Sequence, residues 1–275
     1  MRAAGNDTHY TWALVRDPER EPESTDIRYV SVTTVLKTVL NGSYTPASKW
    51  GFKLGVRSAF PDIPDEEFEL LLKVAGEGEH SPDNVRNAAA ERGTRVHDYF
   101  EVLAKGGVDE WVPDRTLLQT GVPIGHYERQ APPAPTDDYE RSVQLWWDAE
   151  MPGWEVVAAE STLFSTARKF AGTCDLIRKT THAEWVNQPA PFNTTYEVID
   201  LKTHSGSARY DDRLQVAAYE LAAREMGLIP EEADCDHRVV LAREDGKKAG
   251  QSVKYTDPAE FLKVLDVYNA MKGVK

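Results

Sequence analysis

The sequence contains only two cysteines, Cys174 and Cys235, among its 275 residues. Two cysteines are too few for a disulfide framework, a four-thiolate zinc site or an iron–sulfur cluster, and they fit a reducing compartment. No apolar run reaches the roughly 18 residues that span a bilayer, and the N-terminal residues lack the apolar segment of a signal peptide. We therefore expect a cytoplasmic protein that does not bind membranes.

The sequence also lacks an excess of positive charge, since its formal net charge is −13. This value argues against a protein that coats nucleic acid regardless of sequence, because such binding depends on neutralising phosphates. It does not exclude an enzyme acting on nucleic acid, because a carboxylate cluster that holds a divalent ion can sit beside a basic cleft. The basic candidates lie in the C-terminal half: Arg168, Lys169, Arg178, Lys179, Lys202, Arg209 and Arg213.

Hydrophobic periodicity, capping residues and turn residues predict a chain of helices and strands, with 41% hydrophobic residues and no internal repeat. From residue 137 onwards the predicted order is α, β, β, β, α, β, β, α. The predicted strands are 10–17, 28–32, 154–164, 170–179, 196–203, 237–243 and 251–255. The predicted helices are 31–40, 46–58, 65–75, 83–105, 137–150, 207–226 and 258–271. Residues 121–135 hold several Pro and Gly and are predicted to form a loop.

The most informative segment is the predicted strand 196–203. Its side chains alternate between two faces, so Asp200 and Lys202 point the same way. An Asp and a Lys beside a buried strand are costly unless a cation, a substrate or each other compensates them. Asp175, in the preceding strand, adds a second carboxylate, as a metal-dependent phosphodiesterase requires. The alternative is a solvated ion pair on an edge strand, worth less than about 1 kcal/mol.

Four segments occur in an order that is similar to a known family: Gly93-Thr-Arg-Val-His97, Gly172-Thr-Cys-Asp175, Asp200-Leu-Lys202 and Gln215-Val-Ala-Ala-Tyr219. Together they resemble the RecB-like branch of the PD-(D/E)XK nuclease superfamily, especially the exonucleases of phages and the related CRISPR-associated exonucleases. The similarity extends in arrangement over residues 31–255. The chain departs from the CRISPR-associated relatives because it lacks the iron–sulfur cysteines, and it carries no fused helicase.

The resemblance implies an α/β fold of the mixed α+β kind, in which a central mixed β-sheet is flanked by helices in a restriction-endonuclease-like core. Residues 83–275 would form this nuclease core, and residues 1–82 would add N-terminal strands and a helical segment packed on it. The implied function is that of a divalent-metal-dependent DNA exonuclease in recombination, replication or end processing, encoded by a phage. DNA with free ends, a single-strand annealing or replication protein and further copies of the chain are the expected partners.

The resemblance also suggests roles for individual residues. Asp175 and Asp200 are expected to bind Mg²⁺ or Mn²⁺, both of which accept carboxylate oxygens. The Leu201 carbonyl would be a third ligand by resemblance, and His97 would supply an imidazole that Mn²⁺ tolerates. Lys202 would position or deprotonate the attacking water, or stabilise charge on the phosphate, and the sequence does not separate these roles.

Further candidates support this centre. Glu160 and Glu101 are additional acids, and Glu101 lies one helical turn after His97. Gln215 and Tyr219 would contact the scissile phosphate or the neighbouring strand. The expected DNA contacts are Arg168, Lys169, Arg209, Arg213, Gln215 and Tyr219. His204, just beyond Lys202, is expected near the mouth of the cleft.

Other interpretations remain open at the level of the sequence. His97, Gln215 and Tyr219 could pack the core, and Glu160 could be an exposed strand residue. Trp146 and Trp147 could stack on unpaired bases, although burial under the sheet is favoured, and Trp185 could separate strands. The alternatives to an exonuclease are a catalytically silent nuclease-fold protein that binds DNA or another partner, and a site-specific endonuclease. The complete Asp–Asp–Lys set argues against the silent protein.

Overall fold

The computed structural model describes residues 9–11, 28–41, 64, 82–106, 108–117, 123–182 and 193–273. The predicted helices 46–58 and 65–75 lie outside these residues, as do Trp185 and most of the predicted strand 10–17. The other predicted elements can be compared with the structure directly.

Seven strands form one mixed sheet. They are β1 (His9–Thr11), β2 (Arg28–Ser31), β5 (Glu155–Ser165), β6 (Phe170–Thr181), β7 (Thr194–Lys202), β8 (Asp234–Leu241) and β9 (Gly250–Val253). Their order is β1-β2-β6-β7-β8-β9, and β5 also pairs with β6. The pairs β2–β6 and β7–β8 are parallel, and the others are antiparallel. Two further strands, β3 (Val108–Leu117) and β4 (Pro123–Gln130), form a separate antiparallel ribbon.

Five α-helices accompany the sheet within the described residues. They are α1 (Val32–Leu36), α2 (Pro82–Lys105), α3 (Asp138–Glu150), α4 (Tyr210–Glu225) and α5 (Pro258–Lys272). Side chains cap several of their N-termini, as when Ser31 accepts a hydrogen bond from the Thr34 amide and Asp137 accepts one from the Glu140 amide. Across the described ranges, no helix combines the length and apolar character that membrane crossing requires.

The two faces of the sheet bury separate apolar clusters. Ile177, Val198 and Val239 pack with α1, α4 and α5 on one face. Leu176 and Ile199 pack with α2 and α3 on the other face, because neighbouring strand residues point in opposite directions. A mixed sheet with helices on both faces confirms the predicted fold class. The division of the chain at residue 82 stays a prediction.

Trp146 and Trp147 lie in the second cluster rather than on a nucleic-acid surface. Trp146 is fully buried, and its indole Nε1 donates a hydrogen bond to Gln251 Oε1 at 2.7 Å. Trp147 is partly buried and its ring meets the Phe100 ring edge-on, with centroids 5.6 Å apart. Packing therefore accounts for both rings. This agrees with the burial under the sheet that the sequence analysis favoured.

Strand β6 has different neighbours along one of its sides. Phe170 and Ala171 pair with β2, whereas residues from Leu176 onwards pair with β7. Residues 172–175 have no strand partner on that side among the described residues. The ring of Tyr219 closes against Gly172, where an added Cβ would lie 2.6 Å from Tyr219 Cε1. The unpaired stretch ends at Asp175, so the backbone of this residue has no strand partner on that side within the described ranges.

Two predictions of secondary structure were wrong. Residues 123–130 form strand β4 instead of a loop. The prolines misled the prediction, because Pro123 begins β4 and Pro113 precedes a register shift in β3, both of which are positions that tolerate proline in a two-stranded ribbon. The predicted helix 31–40 is α-helical only to Leu36 and continues as a π-helix over Lys37–Asn41.

Candidate active site

Asp175 connects three elements through its two carboxylate oxygens. Its Oδ1 lies 3.0 Å from His97 Nδ1 on α2, and its Oδ2 accepts a hydrogen bond from the Leu201 amide at 2.6 Å. The pairing between β6 and β7 ends at Leu176 and Ile199. Beyond that point, the Leu201 amide binds the Asp175 side chain. The carboxylate is thereby fixed against both β7 and α2, and it is buried.

Glu160 completes a group with His97 and Asp175. One ligand atom of each residue lies within 4.8 Å of the others, and Glu160 Oε1 is 3.5 Å from His97 Nδ1. Glu160 has a φ of 43° inside strand β5, a left-handed conformation that is unusual for a residue other than glycine. Backbone strain of this kind concentrates at functional sites.

A second chain of contacts begins at Asp200 on the face of β7 that meets α4. Lys202 Nζ lies 2.6 Å from Asp200 Oδ2 and donates a hydrogen bond to Gln215 Oε1 at 3.2 Å. Gln215 Nε2 in turn donates to the Tyr219 hydroxyl at 2.7 Å. Asp200 and Lys202 share one face, as the strand period predicts. Gln215 holds the ammonium group from the side of α4, and Tyr219 orients Gln215.

Burial and mutual repulsion shift the ionisation of the carboxylates. Burial raises the pKa of Asp200 to about 7, and the charge of Asp175 adds to this increase against the opposing effect of Lys202. Burial also raises the pKa of Glu160. For Asp175 burial acts in the same direction, but His97, Lys202 and the Leu201 amide outweigh it and lower the pKa. The shifts reflect a buried cluster of negative charge.

His97 shows how strongly this cluster attracts positive charge. Burial lowers the pKa of His97, but Asp175, Glu160 and Asp200 together outweigh burial and raise the pKa to about 10. The electrostatic field that favours a proton on the imidazole also favours a metal cation among the same groups.

The donor set fits a hard divalent cation. The clustered ligand atoms are carboxylate oxygens of Asp175 and Glu160 and one imidazole nitrogen of His97, and Asp200 interacts with this group through its charge. Oxygen ligands with one imidazole suit Mg²⁺ or Mn²⁺ better than thiolate-seeking metals. Glu160 Oε1 and Asp200 Oδ2 are buried without a hydrogen bond of good geometry, and each lies near a cationic side chain, His97 and Lys202 respectively. Buried carboxylate oxygens need compensating positive charge, which a bound dication would add to.

Several predicted residues do not join this centre. Glu101 forms an ion pair with Lys105 along α2, and it acts on the centre only through its charge, which adds to the effect of burial in raising the pKa of Glu160. Arg168 and Lys169 lie in the exposed turn between β5 and β6. That turn binds Glu225, ten residues beyond Gln215 on α4, which corresponds to about 15 Å of helix.

Arg178 cannot line a cleft, because it is fully buried and bound to Glu197. Lys179 pairs with Glu155. Arg209 and Arg213 lie at the N-terminal end of α4, where the Arg213 guanidinium is 5.9 Å from the centre of the Tyr210 ring.

Asp212 was missed by the sequence analysis. Its Oδ2 accepts a hydrogen bond from the Arg209 amide at 2.8 Å and lies 2.9 Å from His204 Nε2. The acid at the third position of a helix was the available signal, because an acid there commonly caps the helix N-terminus. Asp212 thereby fixes His204 beside the end of β7.

A second group of metal-ligating residue types, Glu220, Cys235 and His237, has a structural explanation. His237 Nδ1 accepts a hydrogen bond from the Thr256 amide at 3.2 Å, so the proton of a neutral ring resides on Nε2. That nitrogen lies 2.7 Å from Glu220 Oε2. Both ring nitrogens are satisfied by protein, and His237 therefore serves packing rather than metal binding.

The comparisons with known proteins agree with this geometry. A sequence model of the PD-(D/E)XK nuclease superfamily matches residues 71–270, which is more than half of the chain. The chain belongs to the PD-(D/E)XK nuclease superfamily, whose members are phosphodiesterases that use divalent metals. No curated protein sequence matches the chain.

Proposed function

We propose that this protein is a divalent-metal-dependent DNA exonuclease of the RecB-like branch. The observation that carries the proposal is the position of Asp175. Its carboxylate binds His97 and the amide of Leu201, which is the residue between Asp200 and Lys202. This places a carboxylate, an imidazole and the Asp-Leu-Lys strand around one point. The order of the four sequence motifs supports the assignment to the branch.

Asp175, Asp200, Glu160 and His97 would hold Mg²⁺ or Mn²⁺, together with the Leu201 carbonyl. A bound dication lowers the pKa of an attacking water and stabilises negative charge on the phosphate and the leaving oxygen. Lys202 contributes a further positive charge at the phosphate, and Gln215 and Tyr219 keep its ammonium in place.

The biological setting is part of the same proposal. DNA with free ends is the substrate, and the enzyme acts in recombination, replication or end processing in the cytoplasm of a phage-infected cell. A single-strand annealing or replication protein and further copies of the chain are proposed partners. The motif resemblance supports each of these assignments.

The test is digestion of linear and closed-circular DNA by purified protein with Mg²⁺ or Mn²⁺. We expect linear DNA alone to be degraded, and Asp200→Ala or Lys202→Ala to abolish degradation while thermal unfolding stays cooperative. Asp148→Asn and Lys179→Ala are matched controls on exposed or ion-paired positions away from the site, and they should retain activity. Normal digestion by either site variant would disprove the site.

The same experiment separates the alternatives. Cutting of closed circles into discrete fragments would identify a site-specific endonuclease. Binding of linear DNA without cleavage under any metal condition would identify a catalytically silent nuclease-fold protein.

A further inference from the structure

A cleft of about 290 Å³ adjoins the proposed active site at the carboxyl ends of the parallel strands β7 and β8. Its lining includes His204 and Gly206 after β7, Ala242 and Arg243 after β8, and Tyr139 from α3. The two regions are connected directly, since the Ala242 amide donates a hydrogen bond to the Lys202 carbonyl at 2.9 Å. In open α/β sheets, ligands bind beyond the carboxyl ends of parallel strands.

Arg92 lies at the border between the cleft and the metal-binding residues. Its guanidinium is 4.8 Å from the centre of the Tyr139 ring. The next residue, Gly93, approaches Thr203, because an added Cβ would lie 3.6 Å from Thr203 Oγ1. The helix α2 thus brings Arg92 beside the segment that joins Lys202 to the cleft.

The guanidinium of Arg92 has unused binding capacity. Its Nε is buried and has no hydrogen-bond partner, and no carboxylate of the described residues forms an ion pair with it. A buried donor of this kind is costly unless a ligand satisfies it. A phosphate would do so, because the guanidinium fork matches phosphate oxygens.

The cleft itself suits an uncharged group. Its acidic side chains already have partners, since Asp245 pairs with Arg243 at 2.7 Å and Glu244 accepts a hydrogen bond from the Tyr139 hydroxyl at 3.4 Å. Tyr139 and His204 contribute two rings to the wall. Aromatic rings bind nucleobases by stacking without regard to sequence.

We propose that Arg92 and the cleft lined by Tyr139 and His204 form a nucleotide subsite next to the scissile phosphate. Arg92 binds the phosphate of the adjacent nucleotide, and the cleft receives its base and sugar. This inference rests on the proposed nuclease function, because it assigns the neighbouring part of the same substrate.

Calorimetric titration with deoxythymidine 5′-monophosphate and with 2-deoxyribose 5-phosphate, both in EDTA, tests the subsite without any cleavage. We expect Arg92→Met to weaken binding of both compounds about tenfold, because both carry the phosphate. Tyr139→Leu should weaken binding of the nucleotide but not of the sugar phosphate. Arg86→Met, an exposed arginine on the same helix, is the control and should bind both normally. Absence of nucleotide binding by the native protein, or unchanged binding by both site variants, would overturn the subsite.

Kinetics on linear DNA distinguish failure of the subsite from failure of the nuclease assignment. Arg92→Met should raise KM with little change in kcat and reduce the slope of log K against log salt by about 0.7 for single-stranded DNA. Arg92→Lys keeps the positive charge and should therefore keep the native salt slope. A variant that is merely misfolded would not keep that slope. Normal cleavage with unchanged KM and slope in Arg92→Met rejects the subsite alone. Nucleotide binding that depends on Arg92 without DNA cleavage retains the subsite and rejects the nuclease.

Discussion

At the scale of single residues, the ring of Tyr219 restricts the side chain at position 172. Gly172→Ala would place a Cβ 2.6 Å from Tyr219 Cε1, which is closer than real Cβ contacts. Both groups are held within the core, so we expect a loss of about 1–3 kcal/mol in the free energy of unfolding. Urea denaturation measures this loss.

Gly250→Ala is the matched control for this substitution. Its added Cβ would meet Leu241 Cβ at 3.8 Å, an ordinary contact, and the change in stability should stay within about 0.5 kcal/mol. Equal stability of the two alanine variants would show that the Tyr219 ring moves away freely.

The sequence predicted the placement of some site residues because local periodicity determines it. Asp200 and Lys202 share a face through the strand period, and Gln215 and Tyr219 share one through the helix period. The position of Glu160 beside His97 was not predictable in this way. It depends on a left-handed backbone inside β5 and on the packing of α2 over the sheet, which no local spacing encodes.

At the scale of elements, a buried ion-pair network connects three strands to α3. Glu197 of β7 lies between Arg178 of β6 and Arg238 of β8, with Nε–O distances of 2.7 and 2.6 Å. Arg178 also donates to the Glu150 carbonyl at the end of α3, and its guanidinium lies 4.1 Å from the centre of the Trp154 ring.

Glu197→Gln should therefore destabilise the protein strongly. The substitution leaves Arg178 buried without its anion, and breaking a buried pair from one side costs about 3–5 kcal/mol. Glu155→Gln, which removes the exposed partner of Lys179, should cost less than about 1 kcal/mol. Chemical denaturation of both variants checks the difference, and similar losses would contradict the role of burial.

Glu225 at the end of α4 makes a pH-dependent connection to the β5–β6 turn. It accepts hydrogen bonds from the Thr166 and Ala167 amides at 2.7 and 2.9 Å. Burial raises the pKa of Glu225, but these bonds and those from the Thr166 and Ser165 side chains outweigh it and lower the pKa. The stabilisation is therefore complete above the unfolded pKa, and it is lost as the pH falls through the lower folded pKa.

Glu225→Gln should lose about 1 kcal/mol at pH 7, after allowance for solvent screening of this exposed group. The deficit relative to the native protein should shrink once the pH falls below about 4.5, the usual pKa of this side chain. Urea denaturation at several pH values between 7 and 3 measures it. A deficit that stays constant over this range would exclude the carboxylate as its cause.

The element scale also shows where sequence patterns mislead. The helices α2, α3 and α5 begin within two residues of their predicted starts, because caps and prolines mark helix N-termini clearly. The ribbon of β3 and β4 was missed because its prolines resemble loop residues.

At the scale of the whole molecule, net charge and the site together predict a response to divalent metal. A dication that binds the folded state alone stabilises it by about 2.7 kcal/mol at a hundred times its Kd. Millimolar Mn²⁺ should therefore raise the Tm by several degrees, and EDTA should reverse the increase. Scanning fluorimetry measures both effects.

Asp175→Asn should abolish this metal-dependent increase in Tm, since it removes the carboxylate that joins β6, β7 and α2. Asp148→Asn, an exposed acid on α3, should respond to Mn²⁺ as the native protein does. An undiminished increase in the Asp175 variant would mean that the ion binds elsewhere on this acidic chain.

The overall architecture was predictable from the order of elements, but the neighbours of each strand were not. The pairing of β2 with the beginning of β6 joins residues that are 140 positions apart, as Val30 opposite Phe170 shows. Such pairing depends on non-local packing, for which the residues themselves carry no periodic signal.

The divided neighbourhood of β6 has a consequence for how an ion could arrive. On one side of β6, pairing with β2 ends at Ala171 and pairing with β7 begins at Leu176. Asp175 lies in the gap between these two paired stretches. The Leu201 amide of β7 donates its hydrogen bond to the Asp175 side chain. A cation can thus bind at Asp175 without breaking a hydrogen bond between strands. Binding and release of the cation then leave the sheet unchanged.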